Sequence, residues 1–86
     1  MIELLYFASL REALNMEKEQ LELPANINTI LDLKSHLSTR GDIWAETFGN
    51  NISFSLLVSV NQQMADDLTS VNDDDEIAFF PPVTGG

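Results

Sequence analysis

The last six residues of the sequence are the part whose composition most directly suggests chemistry. They read Pro-Pro-Val-Thr-Gly-Gly, from Pro81 to Gly86. Two prolines keep the backbone extended and stiff, whereas glycine has no Cβ and can pass through a channel that is too narrow for any side chain. A carboxyl group at the end of such a segment can enter the active site of another protein. We therefore predict that residues 81–86 form an extended tail whose functional group is the carboxylate of Gly86.

The carboxylate of Gly86 is a poor electrophile until it is activated, typically by adenylation. Attack by an amine would then make the chain a protein modifier, whereas attack by a thiol or persulfide would make it a sulfur carrier with a terminal thiocarboxylate. The sequence contains no cysteine, which excludes a side-chain thiol as the sulfur carrier, a disulfide scaffold and a thiolate metal site. The residues alone leave the modifier and the sulfur carrier open.

Two phenylalanines near opposite ends of the sequence are predicted to form an exposed apolar patch. Alternation along the first and last predicted strands places Phe7 and Phe80 on faces that also carry a glutamate. If these strands are neighbours, both rings lie beside the tail, and Met64 extends the patch. Exposed aromatic clusters usually mark a protein interface, so we expect these three residues to contact a partner. The alternative is that another segment of the same chain covers them.

The remaining candidate groups do not form a catalytic constellation. The acidic run over residues 72–76 lacks the spacing and the glycine of a calcium loop, and we interpret it as a solvated turn. His36 is the single histidine and is expected to have a structural role, because no cysteine or acid–base partner accompanies it. Arg11 and Lys34 are rare positive charges that can pair internally. The sequence therefore predicts no metal site and no active site within this chain.

Apolar periodicity predicts the elements that would position these groups. Residues 29–40 give the clearest helix, because Ile30, Leu33 and Leu37 recur on one stripe. Asn28 or Thr29 is predicted to cap its start, and Gly41 is predicted to end it. The spacing of Ser9 and Glu12 predicts a capping box ahead of a short helix over residues 10–14, and Asn15 can close this helix in a left-handed conformation. Further segments are predicted as a helical stretch over residues 42–48, strands over residues 2–8, 17–23, 54–60 and 76–80, and a short strand around Met64. Asn61 and Gln62 are predicted to form the tight turn that leads into this short strand.

The order of these elements favours an α+β fold. Strand, strand, helix, strand, strand is typical of one mixed sheet with a helix packed across it, and a ubiquitin-like β-grasp is the natural match. In that fold the first and last strands are parallel neighbours at the centre of the sheet. We expect residues 1–80 to form the β-grasp domain and residues 81–86 to form the extended tail.

Length and charge restrict the functional classes. The chain has 86 residues, with 14 acidic and 4 basic side chains and a formal charge of −10. Such a polyanion is repelled by nucleic acid and by anionic lipid, so a basic protein partner is favoured. The sequence has no apolar run that approaches the roughly 18 residues of a membrane span and no basic signal-peptide start. We therefore expect a cytoplasmic protein.

Three segments resemble the MoaD-type family, the small sulfur carrier subunits of molybdopterin synthase. The segment at the end of the chain is the most specific of the three, and residues 41–56 are the least similar part of the chain. The segments are residues 2–8 with Arg11 and Glu12, residues 60–62, and residues 75–86.

The resemblance implies a reaction cycle for the carboxylate of Gly86. A MoeB-type adenylyltransferase would activate it with ATP, and sulfur would replace the adenylate. The thiocarboxylate would then enter a MoaE-type large subunit and donate sulfur to cyclic pyranopterin monophosphate, and two such transfers would form the molybdopterin dithiolene. The family's complex is a heterotetramer with two small subunits at opposite ends of a large-subunit dimer. The small subunit is not an enzyme on its own, because the catalytic groups belong to the partner.

The resemblance also assigns roles to residues of this sequence. Gly86 would carry the adenylate or the 1-thioglycine, with Gly85 beside it, and the chain would bind no other cofactor. Three alternatives stay open: a carrier for thiamine or tRNA thiolation, a ubiquitin-like modifier, and an interaction module with an inert tail. The residues implied in partner binding are Phe7, Met64, Phe80, Pro81, Pro82, Val83 and Thr84.

Overall fold

The computed structural model describes residues 1–49 and 56–81 of the chain. Its described strands are β1 (Ile2–Tyr6), β2 (Lys18–Leu21), β3 (Leu57–Val60), β4 (Gln63–Ala65) and β5 (Glu76–Phe80). Its described helices are α1 (Ser9–Leu14), α2 (Ile30–Ser38) and α3 (Asp42–Phe48).

The strands form one mixed sheet in the order β2-β1-β5-β3-β4. β1 and β5 are parallel neighbours, with Leu4 opposite Ile77 and Tyr6 opposite Phe79. All other pairs in the sheet are antiparallel. The predicted α+β β-grasp is therefore confirmed, including the central pairing of the first and last strands.

One face of the sheet, here called the inner face, forms the core with the helices. Ile30, Leu33 and Leu37 of α2 have no exposed surface, as the helical stripe predicted. They belong to one buried cluster with side chains of the sheet. Two residues of α3 contribute as well: Phe48 belongs to the cluster, and Trp44 packs against it. Their rings stack with centroids 5.9 Å apart. The members contributed by the strands are Ile2, Leu4, Tyr6, Val58, Ile77 and Phe79.

The start of α2 was predicted more accurately than its end. The Thr29 hydroxyl accepts the N–H of Asp32, and the Asp32 carboxylate accepts the N–H of Thr29, which completes a capping box. The helix ends at Ser38, so the prediction of a helix that continues to residue 40 and stops at Gly41 is wrong. Gly41 instead precedes α3 with a φ of 154°, a value that glycine adopts without strain.

The predicted capping box of α1 is also wrong. α1 begins at Ser9 itself, and the preceding Ala8 makes no side-chain cap and has φ 54° and ψ −129°. The N–H of Leu10 donates to the carbonyl of Phe7 at 3.1 Å, so a tight turn around Ala8 leads from the strand into the helix. The other end agrees with prediction, because Asn15 closes the helix in a left-handed conformation.

Several strands are shorter than predicted, and the pairing explains one case. β2 was predicted over residues 17–23 but ends at Leu21, which lies opposite Ile2 at the start of β1. Beyond Leu21 no residue of β1 remains to pair with. The predicted turn between β3 and β4 is confirmed, since Asn61 and Gln62 have φ of 52° and 69°, as in a type I′ hairpin turn. Residues 54 and 55 of the third predicted strand lie outside the described part.

Within residues 1–49 and 56–81, none of the helices is long and apolar enough to cross a membrane.

Candidate functional site

Phe7 and Phe80 lie together on the outer face of the sheet, opposite the helices. Their rings stack with centroids 4.9 Å apart and an angle of 6° between the planes. Phe7 follows the last residue of β1, and its N–H donates to the carbonyl of Phe79 at 3.2 Å, which keeps it beside β5. Phe7 is 41% exposed, and Phe80 is half-buried. The predicted pairing of the two rings is confirmed, and no described segment of this chain covers Phe7.

The exposed apolar surface is larger than the sequence reasoning predicted. Leu57 lies opposite Phe80 in the antiparallel β3–β5 pair and is 39% exposed. Leu5 lies on the same face and lines one shallow concavity with Phe7, Met64 and Phe80. Met64 extends the surface as predicted and is 67% exposed.

Strand parity was the signal for the two missed residues. Leu57 alternates with the inward-facing Val58, just as Leu5 alternates with Leu4. The outer-face patch is defined here as Leu5, Phe7, Leu57, Met64 and Phe80.

Charged side chains lie at the border of this patch in two places. Glu3 and Glu76 lie directly opposite each other on β1 and β5, at the end of the sheet away from Phe80. Lys18 lies opposite Leu5 on β2. The centre of the outer face is therefore apolar, its far end is acidic, and one positive charge flanks it. This arrangement is typical of a protein-docking surface with an apolar centre and a charged rim.

The tail begins where this patch ends. Pro81 follows Phe80 directly and is half-buried. Pro82, Val83, Thr84, Gly85 and Gly86 lie outside the described residues, so their predicted roles remain predictions. The described part of the chain thus places the outer-face patch at the point where the tail leaves the sheet.

The acidic run over residues 72–76 is a turn held by hydrogen bonds. Asp75 accepts the side-chain N–H of Asn61 at 2.9 Å and the backbone N–H of Asn72 at 2.8 Å. Asp73 pairs with the amino group of Met1, and this hydrogen bond lowers the pKa of the Asp73 carboxyl. Across the described ranges no three His, Cys, Asp or Glu side chains are grouped as metal ligands would be.

Two further ion pairs lie within the body of the domain. Lys34 is 2% exposed, and its Nζ donates to Oδ1 of Asp67 at 2.6 Å, so the predicted internal pairing holds for this lysine. Arg40 donates to Glu19 at 2.6 Å, which the sequence reasoning missed. Tyr6 also donates to Glu19, at 3.0 Å, and burial together with Glu19 raises the pKa of its hydroxyl well above the usual range.

Comparisons with known proteins place these observations in a family context. The model of the ThiS family matches residues 4–86. The chain is 40% identical over 86 residues to the molybdopterin synthase sulfur carrier subunit of Haemophilus influenzae, and the alignment covers 100% of both chains.

Solved structures share the fold. SAMP1 from Haloferax volcanii has a TM-score of 0.76 and 25% identity, over 99% of this chain and 98% of that one. A chain in the complex of subunits 1 and 2 of the molybdopterin-converting factor from Helicobacter pylori has a TM-score of 0.64 and 23% identity, over 99% of this chain and 97% of that one.

Proposed function

Because this chain belongs to the ThiS family, we propose that it is the sulfur carrier subunit of a molybdopterin synthase and carries sulfur on the carboxyl group of Gly86. The observation that carries the proposal is the identity of 40% to a sulfur carrier subunit along the whole chain. The outer-face patch beside Pro81 supports it, because a carrier must dock next to its reactive end.

Docking rests on the stacked rings of Phe7 and Phe80. Both are apolar, and together with Leu5, Leu57 and Met64 they offer a surface that loses contact with water when a partner covers it. A small number of such residues usually supplies most of the binding free energy of an interface. The formal charge of −10 would attract a partner with basic residues around its docking surface.

The carrier needs two partners in this proposal. One is a MoeB-type adenylyltransferase, and the other is a MoaE-type large subunit of the synthase. The shared fold with a chain of the Helicobacter pylori two-subunit complex supports the second partner. The same outer-face patch would serve both partners in turn, since both must receive the same tail.

Activation changes the leaving group on the Gly86 carbonyl carbon. A carboxylate oxygen attacks the α-phosphorus of ATP, pyrophosphate leaves, and an acyl adenylate forms. Hydrosulfide, or a donor equivalent to it, then attacks the acyl carbon, the bond to the AMP oxygen breaks, and AMP leaves. The product is the thiocarboxylate, and the proton of the hydrosulfide passes to solvent.

Sulfur transfer takes place in the large subunit. The thiocarboxylate sulfur attacks an oxygen-bearing carbon of cyclic pyranopterin monophosphate, and the carbon–oxygen bond at that carbon breaks as its oxygen leaves with a proton. Water then attacks the acyl carbon and cleaves its bond to sulfur, so that the sulfur stays on the pterin. Gly86 returns as a carboxylate, and a second carrier repeats the transfer to complete the dithiolene. This chain supplies docking and a tail, and we assign the acid–base groups to the partner. We propose a cytoplasmic location, because the cycle consumes ATP.

Mass spectrometry of the intact protein tests the proposal. We expect a gain of about 16 Da, from exchange of one oxygen for sulfur, when the protein is incubated with its adenylyltransferase, ATP and sulfide. The sulfur-loaded protein should then form molybdopterin when it is mixed with the large subunit and cyclic pyranopterin monophosphate.

The matched control is a variant with one extra residue after Gly86. It should gain no sulfur, while its Tm should equal that of the parent because the tail follows β5. Absence of a mass gain on the parent with Gly86 intact would contradict the proposal. A sulfur-loaded protein that yields no molybdopterin would instead indicate a carrier for thiamine or tRNA thiolation.

A protein modifier is the second candidate function. The likeness to SAMP1, at 25% identity and a TM-score of 0.76, favours it, because SAMP1 is a small archaeal modifier protein. Both functions share the acyl adenylate and differ in the next nucleophile. The test is to look for Gly86 in amide linkage to lysines of other proteins, in cells whose sulfur supply is intact. Such conjugates would identify a modifier.

A further inference from the structure

The chain offers very few amines to an activated carboxyl group. Its only two lysines are Lys18 and Lys34. When no sulfur nucleophile is present, an accessible amine can attack the acyl adenylate instead. The position of each amine therefore decides which of them an activated glycine can acylate.

Lys34 is protected by its surroundings. Its side chain is 2% exposed, and its Nζ lies 2.6 Å from Oδ1 of Asp67. It belongs to α2, on the inner side of the sheet. An acyl group would have to break this ion pair and displace the side chains that cover Lys34 before it reached the amine.

Lys18 is accessible and lies beside the outer-face patch. It is exposed and belongs to β2, the strand at one edge of the sheet. It lies opposite Leu5, which in turn lies opposite Ala78 of β5. Among the residues that the structure describes, Lys18 forms no ion pair.

The glycine that reaches Lys18 belongs to a second copy in this inference. While Gly86 is being activated, the outer-face patch of its own copy is docked on the adenylyltransferase, and the two prolines keep the tail too stiff to turn back across the sheet. Lys18 of a free copy is not covered in this way, and an extended tail of six residues, at most about 20 Å long, can present the activated glycine to it.

The amino group of Met1 is less favourably placed. The carbonyl of Met1 accepts the N–H of Asp74 at 2.8 Å, so this amine lies at the opposite end of β5 from Phe80. It is also paired with Asp73, so it must leave this carboxylate before it can attack an acyl carbon.

We propose that Lys18 is the acylation site of this chain, that it accepts the activated Gly86 carboxyl group when no sulfur donor is present, and that its acylation blocks docking. The inference rests on the activation step of the proposed function. Nζ of Lys18 attacks the acyl carbon, an amide bond forms, AMP leaves, and the amine proton passes to solvent.

The position of Lys18 explains why docking would be lost. Because Lys18 lies opposite Leu5, a polypeptide attached to it covers the outer-face patch and removes the single positive charge that flanks it. A conjugated carrier would then be withdrawn from the cycle. Sulfur supply would thus decide between a loaded carrier and a self-conjugated one.

Chemical labelling tests accessibility without any partner. With limiting N-hydroxysuccinimidyl acetate, we expect acetylation of Lys18 to be at least about 100-fold faster than that of Lys34, because Lys34 reacts only after local opening. The readout is peptide mass spectrometry over time. Equal rates at the two lysines would overturn the inference.

Incubation with the adenylyltransferase and ATP, without a sulfur donor, tests the reaction. We expect a product one water lighter than two copies, with Gly86 of one copy joined to Lys18 of the other. Lys18→Arg should abolish this product and keep the Tm and the rate of ATP–pyrophosphate exchange. The purified product should bind the large subunit at least about tenfold more weakly than the unmodified chain.

The outcomes separate this inference from the proposed function. Exchange without a Gly86–Lys18 bond, or a bond to Met1 or Lys34 instead, would overturn the inference and leave the proposed function standing. A conjugate that binds the large subunit as well as the free chain would overturn the blocking of docking. Absence of exchange would overturn both proposals.

Discussion

At the scale of the residue, neighbouring side chains of β5 serve different purposes. Phe79 has no exposed surface and lies in the core, whereas Phe80 turns to the outer face and stacks on Phe7. Strand alternation alone predicts this division. It does not predict the stacking distance or the participation of Leu57, because these depend on which strand becomes the neighbour of β5.

The two phenylalanines give a matched pair of substitutions. Phe80→Ala should weaken binding to the large subunit by about 2 kcal/mol, as for an interface hot spot, with little change in Tm. Phe79→Ala should lower the free energy of unfolding by about 3–5 kcal/mol, because it leaves a cavity in the core. Titration calorimetry and thermal unfolding measure the two effects. Loss of the fold in Phe80→Ala would show that this ring belongs to the core.

At the scale of the element, helix starts show where a local pattern is sufficient and where it fails. Thr29 was predicted as a cap of α2 and is one. The pattern of Ser9 and Glu12 looks equally suitable, yet Ser9 is the first helical residue. The pairing of Phe7 with Phe79 fixes how the chain enters α1, and this contact joins segments too distant in sequence for a local pattern to reveal it.

The capping box of α2 predicts a stability that depends on pH. The Asp32 carboxylate accepts backbone N–H groups from Asn28 at 3.0 Å and from Thr29 at 3.2 Å, and these bonds hold its pKa below the ordinary value of 3.8. Since the folded-state pKa is the lower one, the contribution is complete above the unfolded-state pKa and is lost as pH falls through the folded-state value.

Asp32→Asn should therefore lower the Tm at pH 7, and its difference from the parent should shrink at more acidic pH. Thr29→Ala should lower the free energy of unfolding by about 1 kcal/mol. Thermal unfolding across a pH series measures both effects. A Tm difference for Asp32→Asn that grows as the solution is acidified would contradict the assigned hydrogen bonds.

The turn between β1 and α1 stores strain in its backbone. Ala8 has a φ of 54° and a ψ of −129°, a region in which an L-residue with a Cβ is disfavoured by roughly 1–3 kcal/mol. Ala8→Gly should remove this strain and raise the free energy of unfolding by about 1 kcal/mol, after the greater entropy of glycine in the unfolded chain is subtracted. Ala13→Gly, within the neighbouring helix, is the control and should lower it. A lower Tm for Ala8→Gly would refute the strain.

At the scale of the whole molecule, charge and topology were predictable to different extents. The formal charge of −10 follows directly from composition, and the β-grasp follows from the order of its elements. The sequence does not reveal how residues with like charge meet. Glu3 and Glu76 are far apart in sequence and lie opposite each other on neighbouring strands, where like charges are destabilising.

Salt should affect the stability and the docking of this molecule in opposite directions. Raising the salt concentration from about 0.01 M to about 0.15 M shortens the Debye length from about 30 Å to about 8 Å. Self-repulsion is then screened, so we expect the Tm to rise by several degrees. The rate of association with a basic partner should fall, because steering is screened as well. A Tm that decreases with added salt would show that attractive ion pairs dominate.

The stacked phenylalanines join the first strand of the described sheet to the last. β1 and β5 meet only after nearly the entire described chain has closed into one loop, and pairings between such distant segments are slow to form. A partly folded chain therefore contains Phe7 and Phe80 but lacks the surface that they make together. In the proposed function, docking by way of this pair would admit only molecules that have finished folding, so native structure would be verified before any ATP is spent on the carrier.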